Sequence, residues 1–213
     1  MRPPGADRRA TRADLAGPVL EVAPTLLGAV IVRDEVALRL TEVEAYAGEL
    51  DPGSHAYRGR TARTEVMFGD AGGLYVYFTY GMHYCANVVT GTAGTASAVL
   101  LRAGEVVAGH EVAAARRPGV REREWARGPA RLTRTLGLAR EDNGTDLLAA
   151  GSRTSLWLPA AAADPEQMGT SARTGVSGDG GEAEAFPWRF YLRDEPTVSP
   201  YRAAAPRRRR PPA

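Results

Sequence analysis

Alternating hydrophobic and polar positions predict a strand pair near the start of the chain. Residues 29–33 and 36–46 flank Asp34-Glu35, as expected for two antiparallel strands joined by a tight turn. Along the second strand, a period of two assigns six residues to one face: Val36, Leu38, Leu40, Glu42, Glu44 and Tyr46. An apolar face thus leads directly into two carboxylates and a tyrosine. This pattern is typical of a strand that carries a site, although a strand that simply reaches solvent at its glutamates would look the same.

A second strand pair carries much of the aromatic content. Tyr75 and Tyr77 alternate on one face of a predicted strand. Gly81 permits a turn, after which residues 83–89 return as the partner strand. The pattern therefore predicts a hairpin with Tyr80 near its tip. A bulky aromatic residue at an exposed turn suggests a wedge for a partner, but it could instead fold back on the sheet.

The rest of the pattern predicts one domain of mixed secondary structure. Further strands are predicted at 96–102 and 188–192, and helices at 14–28, 105–117 and 128–138. Two irregular stretches, 48–73 and 151–185, complete the chain; the first is rich in Gly, Asp, Pro and Arg, as functional loops often are. We expect a flexible N-terminal segment at 1–13, a folded domain at 14–203 and a disordered Arg/Pro-rich tail at 204–213.

Length and composition restrict the class of protein. The 213 residues suit one domain, or at most two small ones. The single cysteine, Cys85, excludes an internal disulfide and makes a cysteine-based zinc site implausible, which fits a reducing compartment. The N-terminal residues contain no apolar core, and no run approaches the roughly 20 apolar residues that a membrane span needs. We therefore expect no membrane association and a cytoplasmic location, on the nucleoid if the protein is bacterial.

Arginine supplies all 27 basic side chains, and its distribution is uneven. Four arginines stand in the tail at 207–210, and seven stand between Arg116 and Arg134 against only two glutamates. Another cluster comprises Arg58, Arg60 and Arg63. Such patches on a chain with a net charge of +2 are typical of a phosphate-binding face, but a solvated helix surface would have the same composition.

The absence of several common motifs limits the reactions that the chain could catalyse. The chain contains no phosphate-cradling GxxxxGK[ST], no GxGxxG after a strand and no HExxH. Its three histidines stand far apart, at 55, 83 and 110, without metal-ligand spacing, so we expect no metal site. A Ser/His/Asp triad stays open, although no nucleophile elbow is present. The remaining groups, one carboxylate, one histidine and several aromatic rings, suit hydrolysis of a flat, electron-poor ligand by a carboxylate-activated water.

At these residues the chain resembles the alkyladenine (3-methyladenine) DNA glycosylase family. The motifs that carry the resemblance are TEVEAYAG at 41–48, MFG at 67–69, LYVYFTYGMHYCANV at 74–88, AVLLRA at 98–103, GPARLTRTLGL at 128–138 and WRFYLR at 188–193. The resemblance extends from about Leu20 to Tyr201, nearly the whole chain. It implies a single compact α+β domain around a curved, mainly antiparallel sheet, with flanking helices and a protruding β-hairpin.

The resemblance also implies roles for individual residues. Glu44 corresponds to the general base that activates the attacking water, and Arg102 to the arginine that helps hold that water and the nucleotide. Three aromatic residues correspond to the rings around an extruded base: Tyr46, His55 and Tyr77. Asn87 corresponds to the asparagine that crowds the exocyclic amine of normal guanine. Tyr80 corresponds to the hairpin tyrosine that fills the gap left in the duplex.

The implied activity is that of a DNA glycosylase in base excision repair. It would flip alkylated or deaminated purines of the 3-methyladenine, 7-methylguanine, hypoxanthine and ethenoadenine class out of duplex DNA and hydrolyse the N-glycosidic bond, leaving an abasic site. Cleavage of the strand through a Schiff base would need an amine, and the chain has no lysine. We therefore expect a monomeric, cofactor-free glycosylase without lyase activity. Five arginines are candidates for contacts with the DNA backbone: Arg58, Arg60, Arg63, Arg131 and Arg134.

Two other functions fit the same sequence. A catalytically silent nucleic-acid-binding module would need the basic patches but not Glu44. A hydrolase of free nucleosides would need a base pocket but neither Tyr80 nor the arginines between 116 and 134.

Overall fold

The computed structural model describes residues 2–79 and 81–204, and in these residues nine strands form one antiparallel sheet. The strands run in the order β1-β7-β2-β3-β6-β5-β4, with β9 pairing to β3 and β8 to β9. The bounds are β1 Arg8–Arg9, β2 Val30–Arg33, β3 Val36–Tyr46, β4 Leu74–Thr79, β5 His83–Val89, β6 Ala98–Ala108, β7 Thr154–Leu158, β8 Met168–Ser171 and β9 Arg189–Leu192. The predicted fold, a single mixed α+β domain around a curved antiparallel sheet, is confirmed.

Strand β3 is the centre of the sheet and was predicted correctly. It pairs with β6 along one edge, while its other edge pairs first with β2 and then with β9. The register shifts between Leu40 and Glu42, which marks an irregularity just before the two carboxylates. Both Glu42 and Glu44 are completely buried, so the interpretation of a strand that reaches solvent at its glutamates is wrong. They are buried because β9 and the loops around it cover this end of β3.

In the part of the chain that the structure describes, four short helices flank the sheet: α1 Arg12–Leu15, α2 Val19–Thr25, α3 His110–Arg116 and α4 Pro129–Leu136. The helix predicted at 14–28 is two helices, because Pro18 lacks an N–H and its extended backbone, with ψ at 137°, breaks the helix between them. Short 3-10 turns occur at Gly48–Leu50, Glu65–Phe68, Glu122–Glu124, Arg140–Asp142, Pro165–Gln167 and Asp179–Gly181. No described helix is long and apolar enough to cross a bilayer.

The predicted start of the next helix is wrong by five residues. Strand β6 continues to Ala108 because its last residues pair with the first half of β3, so the sheet overrides the helical composition. Gly109 then adopts a φ of +75°, and α3 starts directly after it. A Cβ at this position would also collide with the backbone of Glu35. The helix predicted at 128–138 is confirmed as α4, which has proline at its first position and Gly137 with a φ of +73° after its last.

The secondary structure differs from the prediction in the N-terminal region and in the part of the chain after residue 150. Within the segment expected to be flexible, Arg8 and Arg9 pair with β7, and Arg8 also binds Asp14 with two hydrogen bonds. Strands β7 and β8 lie in the stretch interpreted as loop, because both are short; β7 pairs with β2 from a distant part of the chain, and β8 pairs with β9. Tyr80 and residues 205–213 of the expected tail lie outside the described residues.

Two hydrophobic clusters position the candidate site. The main core lies between the sheet and the helices, with Leu26 and Leu27 after α2 and Leu132 and Leu136 from α4 fully buried in it. A second cluster packs the irregular segment 48–73 against the hairpin strands and includes Ala56, Met67, Phe68, Tyr75, Val89, Ala96 and Ala98. Since Ala56 directly follows His55 and belongs to this second cluster, the histidine is carried by a packed loop.

Candidate active site

One pocket collects most of the residues that the sequence singled out. It has a volume of about 370 Å³ and is lined by residues from β3 to β6, from the 48–73 segment and from the loop after β8. This volume suits a single small ligand. Five predicted site residues are among those that line it: Tyr46, His55, Tyr77, Asn87 and Arg102. Glu44 does not line the pocket but lies directly behind it, in contact with three residues of the wall.

Three donors hold the buried carboxylate of Glu44. Its Oε1 atom accepts a hydrogen bond from the backbone N–H of Thr174 at 2.6 Å and lies 3.3 Å from Nη1 of Arg102. Its Oε2 atom accepts a hydrogen bond from the hydroxyl of Tyr46 at 2.9 Å. Burial raises the pKa of Glu44 above its ordinary value, and the three donors only partly offset this effect.

The neighbouring carboxylate of Glu42 has the opposite electrostatic environment. Its Oε1 atom accepts hydrogen bonds from Nε of Arg102 and Nε of Arg189, both at 2.7 Å, and from the hydroxyl of Ser199 at 2.9 Å. Its Oε2 atom accepts a hydrogen bond from the backbone N–H of Ser199 at 2.7 Å. Burial acts to raise the pKa of Glu42, but the charges of Arg102 and Arg189 outweigh it and hold the pKa below its usual value. Two adjacent carboxylates thus have pKa values shifted in opposite directions, a pattern that separates a structural ion from a reactive one.

Aromatic rings form one wall of the pocket. The imidazole of His55 meets the ring of Tyr77 edge to face, with centroids 4.6 Å apart, and Tyr75 stacks on Tyr77 at 5.3 Å. The hydroxyl of Tyr75 lies 3.3 Å from Nδ1 of His55. Partial desolvation by these neighbours, with the charge of Arg63, lowers the pKa of His55 to about 4. The imidazole is therefore neutral at physiological pH. Tyr75 was not predicted to line the pocket, although its alternation with Tyr77 on one strand face indicated that the two rings lie on the same side.

Asn87 also lines the pocket. The residue is 4 % exposed, and its Nδ2 donates to the backbone carbonyl of Tyr75 at 3.1 Å, which fixes the side chain across the hairpin. Cys85 also lines the pocket and lies opposite Tyr77 in the strand pair. Burial raises the pKa of the Cys85 thiol, so it remains protonated at neutral pH.

Arg173 organises the site, and no sequence motif marked it. It is 1 % exposed and donates two hydrogen bonds to the carboxylate of Asp51, at 2.5 and 2.7 Å. It also donates to the backbone carbonyls of Ala45 and Gly180, and its guanidinium lies 4.5 Å from the centroid of the Tyr46 ring. The only sequence signal was a group of glycines nearby; a Cβ at Gly180, one of them, would collide with the backbone of residue 53.

The arginines proposed for DNA contacts are all on the surface. Arg58, Arg60, Arg63, Arg131 and Arg134 are exposed. Arg63 lies over the ring of Tyr77 at 5.5 Å, which places it at the edge of the pocket. Arg60 pairs with Glu65 at 3.0 Å, whereas Arg131 lies 4.0 Å from Glu124. Across residues 2–79 and 81–204, no three metal-ligating side chains converge.

Comparisons with known proteins agree with this geometry. The family model for methylpurine-DNA glycosylase matches residues 13–196. A protein of Streptomyces avermitilis is 55 % identical over 205 residues, covering 94 % of this chain and 95 % of its own. Proteins of Leifsonia xyli subsp. xyli and Chlorobaculum parvum are 56 % and 42 % identical, covering 86 % and 91 % of this chain and 88 % and 91 % of their own. All three are named "Putative 3-methyladenine DNA glycosylase". On the match of the family model and of these relatives, the chain belongs to the methylpurine-DNA glycosylase family.

Proposed function

We propose that the protein is a monofunctional DNA glycosylase that flips a damaged purine into the pocket and hydrolyses its N-glycosidic bond, leaving an abasic site for base excision repair. The observation that carries the proposal is the position of Glu44. This buried carboxylate with a raised pKa lies immediately behind a pocket lined by aromatic rings. Family membership and the names of the relatives support the same reaction.

The pocket has the chemistry to hold an electron-poor base. Alkylation at N3 or N7 makes a purine cationic, and aromatic faces attract a cation by up to ~2 kcal/mol when it is desolvated. His55, Tyr46 and Tyr77 supply those faces. A neutral His55 does not repel the cation, since its pKa is about 4. These contacts, with the Tyr80 wedge that remains a prediction, would offset the few kcal/mol of stacking lost when the base is extruded.

Glu44 has the free lone pair that a general base needs. Each carboxylate oxygen can accept about two hydrogen bonds. Oε1 accepts from Thr174 and contacts Arg102, whereas Oε2 accepts only from the Tyr46 hydroxyl among the described residues, so Oε2 keeps one acceptor position for a hydrogen bond from water. In the proposed reaction this water attacks C1′ of the sugar, and Glu44 takes its proton. The charge of Glu44 also stabilises the oxocarbenium-like sugar that forms as the base departs.

Two further residues would select the damaged base and hold the flipped nucleotide. In this proposal Asn87, whose side chain donates to the Tyr75 carbonyl, crowds the exocyclic amine of an undamaged guanine. Arg102 lines the pocket while contacting both Glu42 and Glu44, so it can hold the water and the nucleotide next to the base. The proposed substrates are 3-methyladenine, 7-methylguanine, hypoxanthine and ethenoadenine, in a monomeric, cytoplasmic enzyme without a cofactor.

A duplex with one damaged base tests the proposal. We expect the protein to release hypoxanthine, or 7-methylguanine, from such a duplex, so that alkali then cuts the strand at the resulting abasic site. A nucleic-acid-binding module would bind without any alkali-sensitive product, and a nucleoside hydrolase would act on free inosine but leave the duplex intact. In the same assay, borohydride should trap no covalent complex, because the chain has no lysine. A trapped complex would contradict a purely hydrolytic mechanism.

The pH dependence of excision follows from the environment of Glu44. Only the carboxylate can accept a proton, and burial raises its pKa above the ordinary 4.5, so activity should be lost as the pH falls through a value above 4.5. His55, with a pKa of about 4, stays neutral in that range and adds no second inflection. We expect the single-turnover rate on hypoxanthine to rise with pH in one step, with no further inflection from His55. An inflection that persists in Glu44→Gln would contradict this assignment.

A further inference from the structure

One buried arginine of the described chain has no counter-charge. Four of the five buried arginines are salt-bridged to a buried acid: Arg33, Arg102, Arg173 and Arg189. Arg117 is only 8 % exposed, yet within residues 2–79 and 81–204 no carboxylate lies within 4.0 Å of its guanidinium. Its Nε atom is buried without a hydrogen-bond partner among the same residues. Because a buried charge is costly unless it is paired, Arg117 is suited to an anion that binds from outside.

Neighbouring positive charges make the unpaired charge of Arg117 still less favourable. The residue directly follows α3, and two arginines of α4, Arg131 and Arg134, lie close enough to affect its ionisation. Burial lowers the pKa of Arg117, and the positive charges of Arg134 and Arg131 lower it further. The carboxylate of Glu124 lies 4.0 Å from Arg131 and 3.6 Å from Arg121, and so neutralises neither Arg117 nor Arg134. The result is a concentrated positive potential.

Arg117 lines a groove next to the candidate active site. This groove has a volume of about 470 Å³, and Arg117, Arg134 and His83 are among the residues that line it. Its other wall is the return of the β4–β5 hairpin. Ala130 lines the groove, whereas its neighbour Pro129 lines the aromatic pocket. Only the start of α4 therefore separates the groove from the pocket that would receive the flipped nucleotide.

We propose that Arg117, with Arg134, forms a phosphate site that binds a phosphodiester of the DNA strand whose damaged nucleotide enters the pocket. The inference rests on the proposed function in that it takes DNA as the partner. A guanidinium offers parallel donors that match the oxygens of a phosphate, and a phosphodiester supplies the negative charge that Arg117 lacks. Binding would satisfy the buried donor only when DNA is present, which couples backbone capture to the adjacent base pocket.

Salt titration of binding to an undamaged duplex tests the site without any catalytic step. For Arg117→Gln we expect affinity to fall by on the order of tenfold and the slope of log K against log salt to decrease by about one. Arg117→Lys keeps the charge and should retain the slope. Arg8→Gln, which removes the same charge at β1 on the opposite edge of the sheet, is the matched control and should leave both quantities unchanged. An unchanged slope in Arg117→Gln would overturn the proposal.

Thermal unfolding separates a ligand site from a structural arginine. Since Arg117 is unpaired and repelled in the free protein, Arg117→Gln should unfold at the same or a higher temperature than the wild type. A large drop in the unfolding temperature would indicate a structural role and contradict the proposal. A different result would assign the site to free phosphate and overturn the DNA assignment. In that case inorganic phosphate would stabilise the wild type but not Arg117→Gln, and the two proteins would have the same salt slope of DNA binding. Excision by the wild type tests the glycosylase proposal separately: failure of the wild type to release hypoxanthine would refute that proposal, whereas the salt slope of binding to an undamaged duplex tests the phosphate site alone.

Discussion

Glu44→Gln should abolish excision while the protein keeps its fold and its affinity for damaged duplex. The amide cannot accept the proton of the attacking water or stabilise positive charge on the sugar, so we expect the single-turnover rate to fall by roughly 10²–10⁴-fold. The amide is uncharged and nearly the same size, so it can keep the contacts with Tyr46 and Thr174. Burial already disfavours the charged form of this group, and its removal should therefore cost little stability. Release of hypoxanthine and binding of the same duplex measure the two expectations separately.

Glu42→Gln is the matched control, because it changes the same group two residues away. Glu42 neutralises the buried Arg102 and Arg189, so we expect this variant to lose about 3–5 kcal/mol of unfolding free energy. Assayed well below its lowered unfolding temperature, it should still excise hypoxanthine. Substantial turnover by Glu44→Gln together with an inactive, stably folded Glu42→Gln would show that the base is Glu42.

The difference between these two glutamates shows where sequence reasoning stops. Alternation along β3 correctly predicted the strand and placed Glu42 and Glu44 on it, because a strand pattern is a local property. The partners that distinguish the two are remote in sequence. Thr174 binds Glu44 from 130 residues away, and Ser199 binds Glu42 from 157 residues away. Only the resemblance to a known family chose Glu44 from the sequence, and the opposite pKa shifts now support that choice physically.

The difference between local patterns and remote partners also explains which elements were not predicted. β3, the hairpin strands and α4 have strong local patterns, and the structure confirms them. The start of α3 was wrong because the pairing of β6 with β3 extends the strand through residues of helical composition. Arg173 carried no signal of its own, since its partners Asp51 and Ala45 lie about 120 residues earlier and are brought to it only by the folded chain.

Breaking the Arg173–Asp51 ion pair should have a large effect on stability. Both side chains are fully buried, and Arg173 also binds the backbone of Ala45, which stands between Glu44 and Tyr46. We expect Arg173→Met to lose about 3–5 kcal/mol of unfolding free energy in urea, because it leaves the Asp51 carboxylate buried and unpaired. The excision rate should fall as well, since Thr174 and Tyr46, which hold Glu44, lose their support.

A double-mutant cycle separates the ion pair from simple loss of packing. Asp51→Asn alone should be destabilising, because it leaves the buried Arg173 charge without its partner. The double variant Arg173→Met/Asp51→Asn contains neither buried charge, and we therefore expect it to be more stable than the sum of the single changes predicts, by about 1–3 kcal/mol. Excision by the double variant should stay impaired even where it is fully folded, because the contacts to Ala45 and Tyr46 are not restored. Strict additivity of the two unfolding energies would mean that the Arg173–Asp51 ion pair contributes no coupling energy. Full activity of the double variant would mean that Arg173 does not support the end of β3 that carries Glu44.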